Sequence, residues 1–280
     1  MREVTTADGR TLAVEEWGVP DGTPVLYTHG SPMSRLARYP DERLFDELGV
    51  RLITYDRPGF GCSTPHPGRR VADAAADIAA IADALGLDRF PLYGVSGGGP
   101  HALAYAARFP QRVTRVATLA SPAPCDAEGL DWDAGMMPGN RDSAAAARQG
   151  RAALEAHLGE AKSEDLATML PEAELAVLAR PEVQAMLSAA FTEAIRPGMA
   201  GWIDDELALF GLPWGFDPGT VAVPARLWHG EIDTVVPVSH AAWLADRIPG
   251  ATLTRAPDAG HAGHFDATPP ILRWLLSDPA

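Results

Sequence analysis

The stretch Gly94-Val95-Ser96-Gly97-Gly98-Gly99-Pro100 sets a serine midway between two glycines, where an apolar run meets a helical pattern. That G-x-S-x-G spacing suits a nucleophilic serine on a sharp strand-to-helix turn. Strained dihedrals at such a serine push its hydroxyl out of the sheet. Neighbouring backbone then comes too close for side chains at positions 94 and 98. The helix that follows points its free amides and the positive end of its dipole at the reacting group. A serine hydroxyl is a weak nucleophile until a base within hydrogen-bond reach takes its proton. Eight histidines, at positions 29, 66, 101, 157, 229, 240, 261 and 264, compete for that role. A carboxylate must then hold the chosen imidazole in the right tautomer. The plain alternative is that Gly97-Gly98-Gly99 is a flexible turn without chemistry, so the surrounding elements decide.

Those elements alternate. Thr11 to Trp17 follows an Asp8-Gly9 turn and reads as a strand. Val25 to Thr28, Leu52 to Tyr55, Phe90 to Val95 and Val113 to Leu119 are short apolar runs suited to buried parallel strands. Arg35 to Leu48 has helical spacing ending at Gly49. In Arg70 to Leu85, Val71, Ala74, Ile78, Ile81 and Leu85 share one helical face, with Gly86 where a cap belongs. Gly97 to Phe109 reads as a helix stopped by Pro110. Further on, Ala225 to His229 and Ala251 to Arg255 read as strands around a helix near His240 to Arg247, and Ile271 to Leu276 as a closing helix. Strand–helix alternation predicts an α/β protein whose mostly parallel sheet is covered on both faces, with function in loops beyond the strands' carboxyl ends.

Residues 122–220 break the rhythm, with helical stretches cut by Pro138-Gly139, Pro171, Pro181 and Pro197-Gly198 and no convincing strand. An insertion there is expected to be a helical cap over the site, leaving 1–121 and 221–280 as the core domain. The cap carries Met136, Met137, Met169, Met186 and Met199, with Trp132, Trp202 and Trp214. These are either an adaptable apolar pocket wall or the cap's own core. Asp204-Asp205-Glu206 could supply an acidic cluster for a substrate's free amine, but it reads more simply as ordinary acids at the start of a helical stretch.

The strand order, the serine turn and the later acid and histidine together resemble the α/β-hydrolase fold, over nearly all of the chain outside the cap. His29-Gly30-Ser31-Pro32 is similar to that family's H-G-x-P oxyanion loop. Asp56-Arg57-Pro58-Gly59-Phe60-Gly61-Cys62-Ser63 is similar to its D-x-x-G-x-G-x-S segment, read here as scaffold. The resemblance implies an α/β class with a mostly parallel eight-stranded sheet, helices on both faces and an inserted α-helical cap. It makes Ser96 the nucleophile and puts the base in the loop after the last strand, where Gly260-His261 is favoured over Gly263-His264. It puts the acid in the loop after Ala225–His229, where Asp233 fits G-x-x-D better than Glu231 or the earlier Asp126. The oxyanion hole falls to the amides of Gly97 and Ser31, because Pro32 has none. Met33, Trp132, Met136, Trp202 and His264 are the expected pocket residues. His29 is expected to brace its loop, His101 to pack, and His229 to play a structural part.

The chemistry implied is cofactor-independent hydrolysis of a carboxylic ester, lactone or thioester of a small, largely apolar molecule. The same triad also serves C–C bond hydrolysis, perhydrolysis, or biosynthetic acyl transfer and cyclisation. A slow-turnover ligand sensor is the non-enzymatic alternative. No metal or cofactor is expected, since no His, Cys and acid cluster has ligand spacing and the sole lysine, Lys162, lacks a Schiff-base context. The charge of −14, from 37 acids against 23 bases, repels phosphate backbones and argues against nucleic acid as a partner. Two cysteines, Cys62 and Cys125, are too few for a disulfide framework. With no apolar leader and no apolar run of about 18 residues, a cytoplasmic, non-membrane protein is expected, with either a monomer or a homodimer allowed.

Overall fold

The computed structural model describes residues 1–160 and 170–277, so Lys162 and Met169 lie outside the described part. Eight strands form one sheet: β1 (Arg2–Thr5), β2 (Thr11–Gly18), β3 (Thr23–Thr28), β4 (Val50–Tyr55), β5 (Phe90–Val95), β6 (Val113–Leu119), β7 (Ala225–Gly230) and β8 (Thr252–Ala256). Their spatial order is β1-β2-β4-β3-β5-β6-β7-β8. The first two pairings, β1 with β2 and β2 with β4, are antiparallel, and every later one is parallel. β1, whose four residues bury only Val4, is an edge strand too short and polar to stand out by its residues.

Strand periodicity divides the core. Leu26, Ile53, Leu92, Val116 and Leu227 face a cluster built with α2 (Ala74–Ala84), α3 (Gly98–Arg108) and α9 (Val238–Arg247). Their strand neighbours Tyr27, Leu52, Tyr93, Ala117 and Trp228 face a second cluster, shared with α1 (Arg43–Leu48) and α10 (His264–Leu276). Both faces are therefore dry, which is why these strands read as continuous apolar runs.

Two helices differ from expectation at their boundaries. The helix expected over Arg35–Leu48 is confined to α1. Pro40 disfavours helical dihedrals at Tyr39, and the Arg35 amide is committed to the Asp56 carboxylate at 2.6 Å. The closing helix begins seven residues before Ile271 and runs through Pro269 and Pro270. Its first turns bury Phe265, Ala267 and Thr268, and that packing outweighs two missing amide donors.

Between β6 and β7 the chain leaves the sheet. Among the described residues it forms only helices and loops there: α4 (Pro138–Gln149), α5 (Arg151–Glu160), α6 (Glu172–Leu178), α7 (Pro181–Ile195) and α8 (Ala200–Glu206), with a π-helical turn at Leu207–Gly211. Asp204, Asp205 and Glu206 thus end a helix rather than start one. All three are buried, so they are not solvated first-turn acids.

Candidate active site

Ser96 follows β5 directly and has a φ of 52°, a left-handed conformation that a non-glycine residue rarely adopts. The turn is held by Ser96 N–H donating to Leu119 O (2.8 Å) and Gly99 N–H donating to Ser96 O (3.0 Å). A Cβ on Gly94 would lie 2.4 Å from the Gly98 backbone, and one on Gly98 would lie 2.0 Å from Thr28 O. Close approach of three backbone segments therefore requires both glycines.

His261 stands at the end of the loop after β8, and its Nδ1 donates to Asp233 Oδ2 at 2.8 Å. This bond fixes the proton on Nδ1 and leaves the Nε2 lone pair free to accept one. The other Asp233 oxygen accepts from the amides of Val235 (2.9 Å) and Val236 (2.8 Å). His229 Nε2 donates to Val236 O at 2.6 Å and lies 3.3 Å from Asp233 Oδ2. Burial alone would raise the Asp233 pKa, but the charge on His261 and hydrogen bonds from both histidines hold it well below the usual carboxylate range. For His261, burial is likewise outweighed, by the Asp233 charge and hydrogen bond with help from Glu174, so its pKa is raised. The other acids considered point elsewhere. Glu231 pairs with Arg255 at 2.8 Å on the surface, and Asp126 is exposed. The His264 ring lies 4.1 Å from that of Phe265, and burial lowers its pKa to about 3.

Ser96 and His261 share the wall of one cavity of about 340 Å³, although no hydrogen bond joins them among the described residues. Catalytic hydrogen bonds of this type commonly tighten only with substrate in place. Ser31 and Gly97 also line the cavity, and a Cβ on Gly97 would sit 3.4 Å from Ser31 N, so the two oxyanion candidates are neighbours. Met33, Trp132, Met136, Trp202 and His264 all reach the wall, with Met186 and Phe210. The remaining cap residues divide otherwise. Trp214 is buried in the main core, Met137 is buried off the cavity, and Met199 is exposed.

Three features escaped the sequence. Glu174 and Glu206 bring two buried carboxyls to the cavity wall. Glu174 Oε1 accepts from the Ala262 amide at 2.8 Å while Oε2 has no hydrogen-bond partner among the described residues. Glu206 accepts from Trp202 Nε1 at 3.1 Å, and burial pushes its pKa up to about 8. The third is a buried ionic cluster around Arg57 and Asp205, beneath the cap. The triplet of consecutive acids at 204–206 was the available signal for two of these. One group of potential metal ligands, Asp56, Cys62 and Glu193, was also not visible from spacing. Arg35 already supplies the positive charge there, 2.7 Å from Asp56 and 2.6 Å from Glu193, so the group does not fit a metal ion. Both cysteines are free thiols.

Residues 23–268 match the family described as alpha/beta hydrolase fold, and the chain belongs to that family. Among characterised relatives, it is 39% identical over 126 residues to a non-heme chloroperoxidase of Streptomyces lividans, a match covering 44% of this chain and 45% of that protein. It is 36% identical over 112 residues to a proline iminopeptidase of Xylella fastidiosa, covering 39% and 36%. These matches therefore span less than half of the relatives' length. The whole fold superposes on a thermophilic esterase from Thermogutta terrifontis with a TM-score of 0.69 and 25% identity, covering 98% of this chain and 96% of that one. No helix among the described residues is long and apolar enough to cross a membrane.

Proposed function

We propose that the protein hydrolyses a carboxylic ester, lactone or thioester of a small, largely apolar substrate through Ser96, His261 and Asp233. Ser96 Oγ attacks the acyl carbonyl while His261 Nε2 takes its proton. The amides of Ser31 and Gly97 stabilise the oxyanion, and His261 returns the proton to the leaving group. Water activated by the same imidazole then releases the acyl group. The observation that carries this is the His261–Asp233 bond, formed on the wall of the cavity into which the strained Ser96 turn projects. The Met and Trp lining favours an apolar acyl group. Likeness to an esterase along the whole chain favours ester chemistry over the other reactions open to this triad. Ser96→Ala is expected to lose turnover of p-nitrophenyl esters and fluorophosphonate labelling together. Wild-type retention of either would remove Ser96 as nucleophile. A lactone, a β-diketone and a peracid assay in the same panel separate the reaction classes.

Cleavage of an aminoacyl ester or amide has one observation in its favour. Glu174 and Glu206 flank the cavity, and the sole Lys or Arg on its wall among the described residues, Arg38, is taken up by Glu42 and the Trp17 ring. A protonated amine would meet two carboxyls without a competing cation, and its charge would favour ionisation of Glu206, whose pKa burial holds at about 8. Turnover of an aminoacyl ester that collapses on N-acetylation would select this chemistry, and indifference to N-acetylation would discard it.

A further inference from the structure

The Arg57–Asp205 cluster takes no part in the chemistry outlined above, yet it is among the most buried charge in the molecule. Asp205 ends α8 in the cap, and Arg57 lies in the core loop after β4; both are essentially inaccessible. Arg57 Nε and Nη2 donate to the two Asp205 oxygens at 3.0 and 2.6 Å. Arg69 Nη1 lies 2.8 Å from Oδ1. Next to this bridge, cap and core touch backbone to backbone: a Cβ on Gly59 would lie 2.7 Å from Gly201 Cα. A planar guanidinium held on one edge by a carboxylate has its orientation fixed.

The other edge of that guanidinium faces the oxyanion loop. Arg57 Nη1 donates to His29 O, and Nη2 donates to Gly30 O at 3.2 Å. Gly30 O also accepts from His29 Nδ1 at 2.7 Å, which leaves His29 Nε2 bare to accept from the Arg57 amide at 3.2 Å. Burial and the nearby Arg57 charge keep that imidazole neutral, as this pattern requires. Gly30 O belongs to the same peptide group as the Ser31 N–H. In a trans peptide, carbonyl and amide point in opposite directions, so two donors on Gly30 O fix the direction of the Ser31 amide. They also polarise it into a stronger donor.

We propose that Asp205 is a positioning residue: from the cap it orients Arg57, which clamps the Gly30–Ser31 peptide so that the Ser31 amide faces the developing oxyanion. Seating of α8 on the core and stabilisation of the transition state are thereby one event. The alternative is an ion pair that only joins cap to core. This inference rests on the Ser96 acyl-enzyme chemistry proposed above.

Asp205→Asn keeps shape and removes the charge that holds the guanidinium. Loss of a whole oxyanion donor costs 10²–10³ in kcat, so a misdirected one is expected to cost about 10- to 100-fold. KM should stay within about twofold, and affinity for a trifluoromethyl ketone should fall by the same factor as kcat/KM, because both report the tetrahedral state. Arg57→Lys carries the same test should Asp205→Asn fail to fold. It leaves a cation facing Asp205 but has no planar fork to hold the carboxylate on one edge and both carbonyls on the other. The double variant should be no worse than the weaker single one. Wild-type kcat in either folded variant, or a loss confined to KM or to thermal stability, overturns the proposal. Ser96→Ala assayed alongside keeps the two ideas apart. If it abolishes labelling while Asp205→Asn retains full kcat, only the positioning role falls; if labelling survives, the acyl-enzyme chemistry falls as well.

Discussion

Two histidines three residues apart differ in what reaches them. His261 is held by Asp233 and its pKa is raised, whereas His264 is packed against Phe265 and its pKa is pushed down to about 3. The base must be neutral to accept the Ser96 proton, so kcat/KM should fall as pH drops through the raised His261 pKa. The acid limb should lie above the ordinary imidazole value of about 6.5. Asp233→Asn removes the charge that raises it, so the limb should move to lower pH while the plateau falls by about 10⁴-fold. A pH–rate profile of both proteins checks this, and a limb unmoved by Asp233→Asn would assign the titration to another group. At this scale the sequence was informative wherever a residue sits at a fixed offset from a strand end, as Ser96 and Asp233 do. Between His261 and His264, both of which follow a glycine, it offered only the shorter distance of His261 past the last strand, and only the fold determines which ring meets a carboxylate. Glu206 was misjudged for the same reason. Its neighbours in the chain are acids, but its surroundings in space are apolar, and burial rather than sequence sets its pKa of about 8.

Elements were legible to the extent that local periodicity and turn chemistry governed them. The parallel strands β3 to β7 announced themselves because both sheet faces are dry there, whereas the edge strand β8 has no buried residue. The turn at Ser96 was legible because steric exclusion leaves glycine alone at positions 94 and 98. The helix expected at Arg35 was not formed, since Arg35 spends its amide and guanidinium on Asp56 and Glu193, contacts 21 and 158 residues away in the chain. The difference between steric and conformational demand for glycine yields a direct comparison. Gly98→Ala drives a methyl group into Thr28 O with no room to yield, and about 3–5 kcal/mol of stability should be lost together with the proposed hydrolysis. Gly86 has a φ of 66° but open space around it, so Gly86→Ala should cost only about 1–2 kcal/mol and leave kcat alone. Urea unfolding midpoints of the two variants measure the difference. Equal midpoints would mean that the turn relaxes to admit a side chain.

For the molecule as a whole, the charge of −14 and the two buried carboxyls act on any ligand in the same direction but over different distances. The net charge works through solvent and is screened beyond about 30 Å at 0.01 M salt but beyond about 10 Å at 0.1 M. Glu174 and Glu206 act from inside the cavity, where salt scarcely intervenes, and Glu206 carries its charge only above its pKa of about 8. A neutral butyrate ester and a hemisuccinate ester of the same alcohol differ mainly by one carboxylate, so their kcat/KM ratio reads both effects, and its salt dependence separates them. At 0.01 M salt the anionic ester should be poorer by at least about tenfold, and about a threefold part of that gap should close by 0.1 M as the long-range field is screened. The remainder should persist at higher salt and, measured at about pH 9 where Glu206 is ionised, shrink in Glu206→Gln, whose side chain keeps the hydrogen bond from Trp202 without the charge. A gap that salt erases completely would mean that the cavity acids stay neutral towards the substrate. A gap that salt leaves untouched would put the whole discrimination inside the cavity, with the surface charge serving solubility alone.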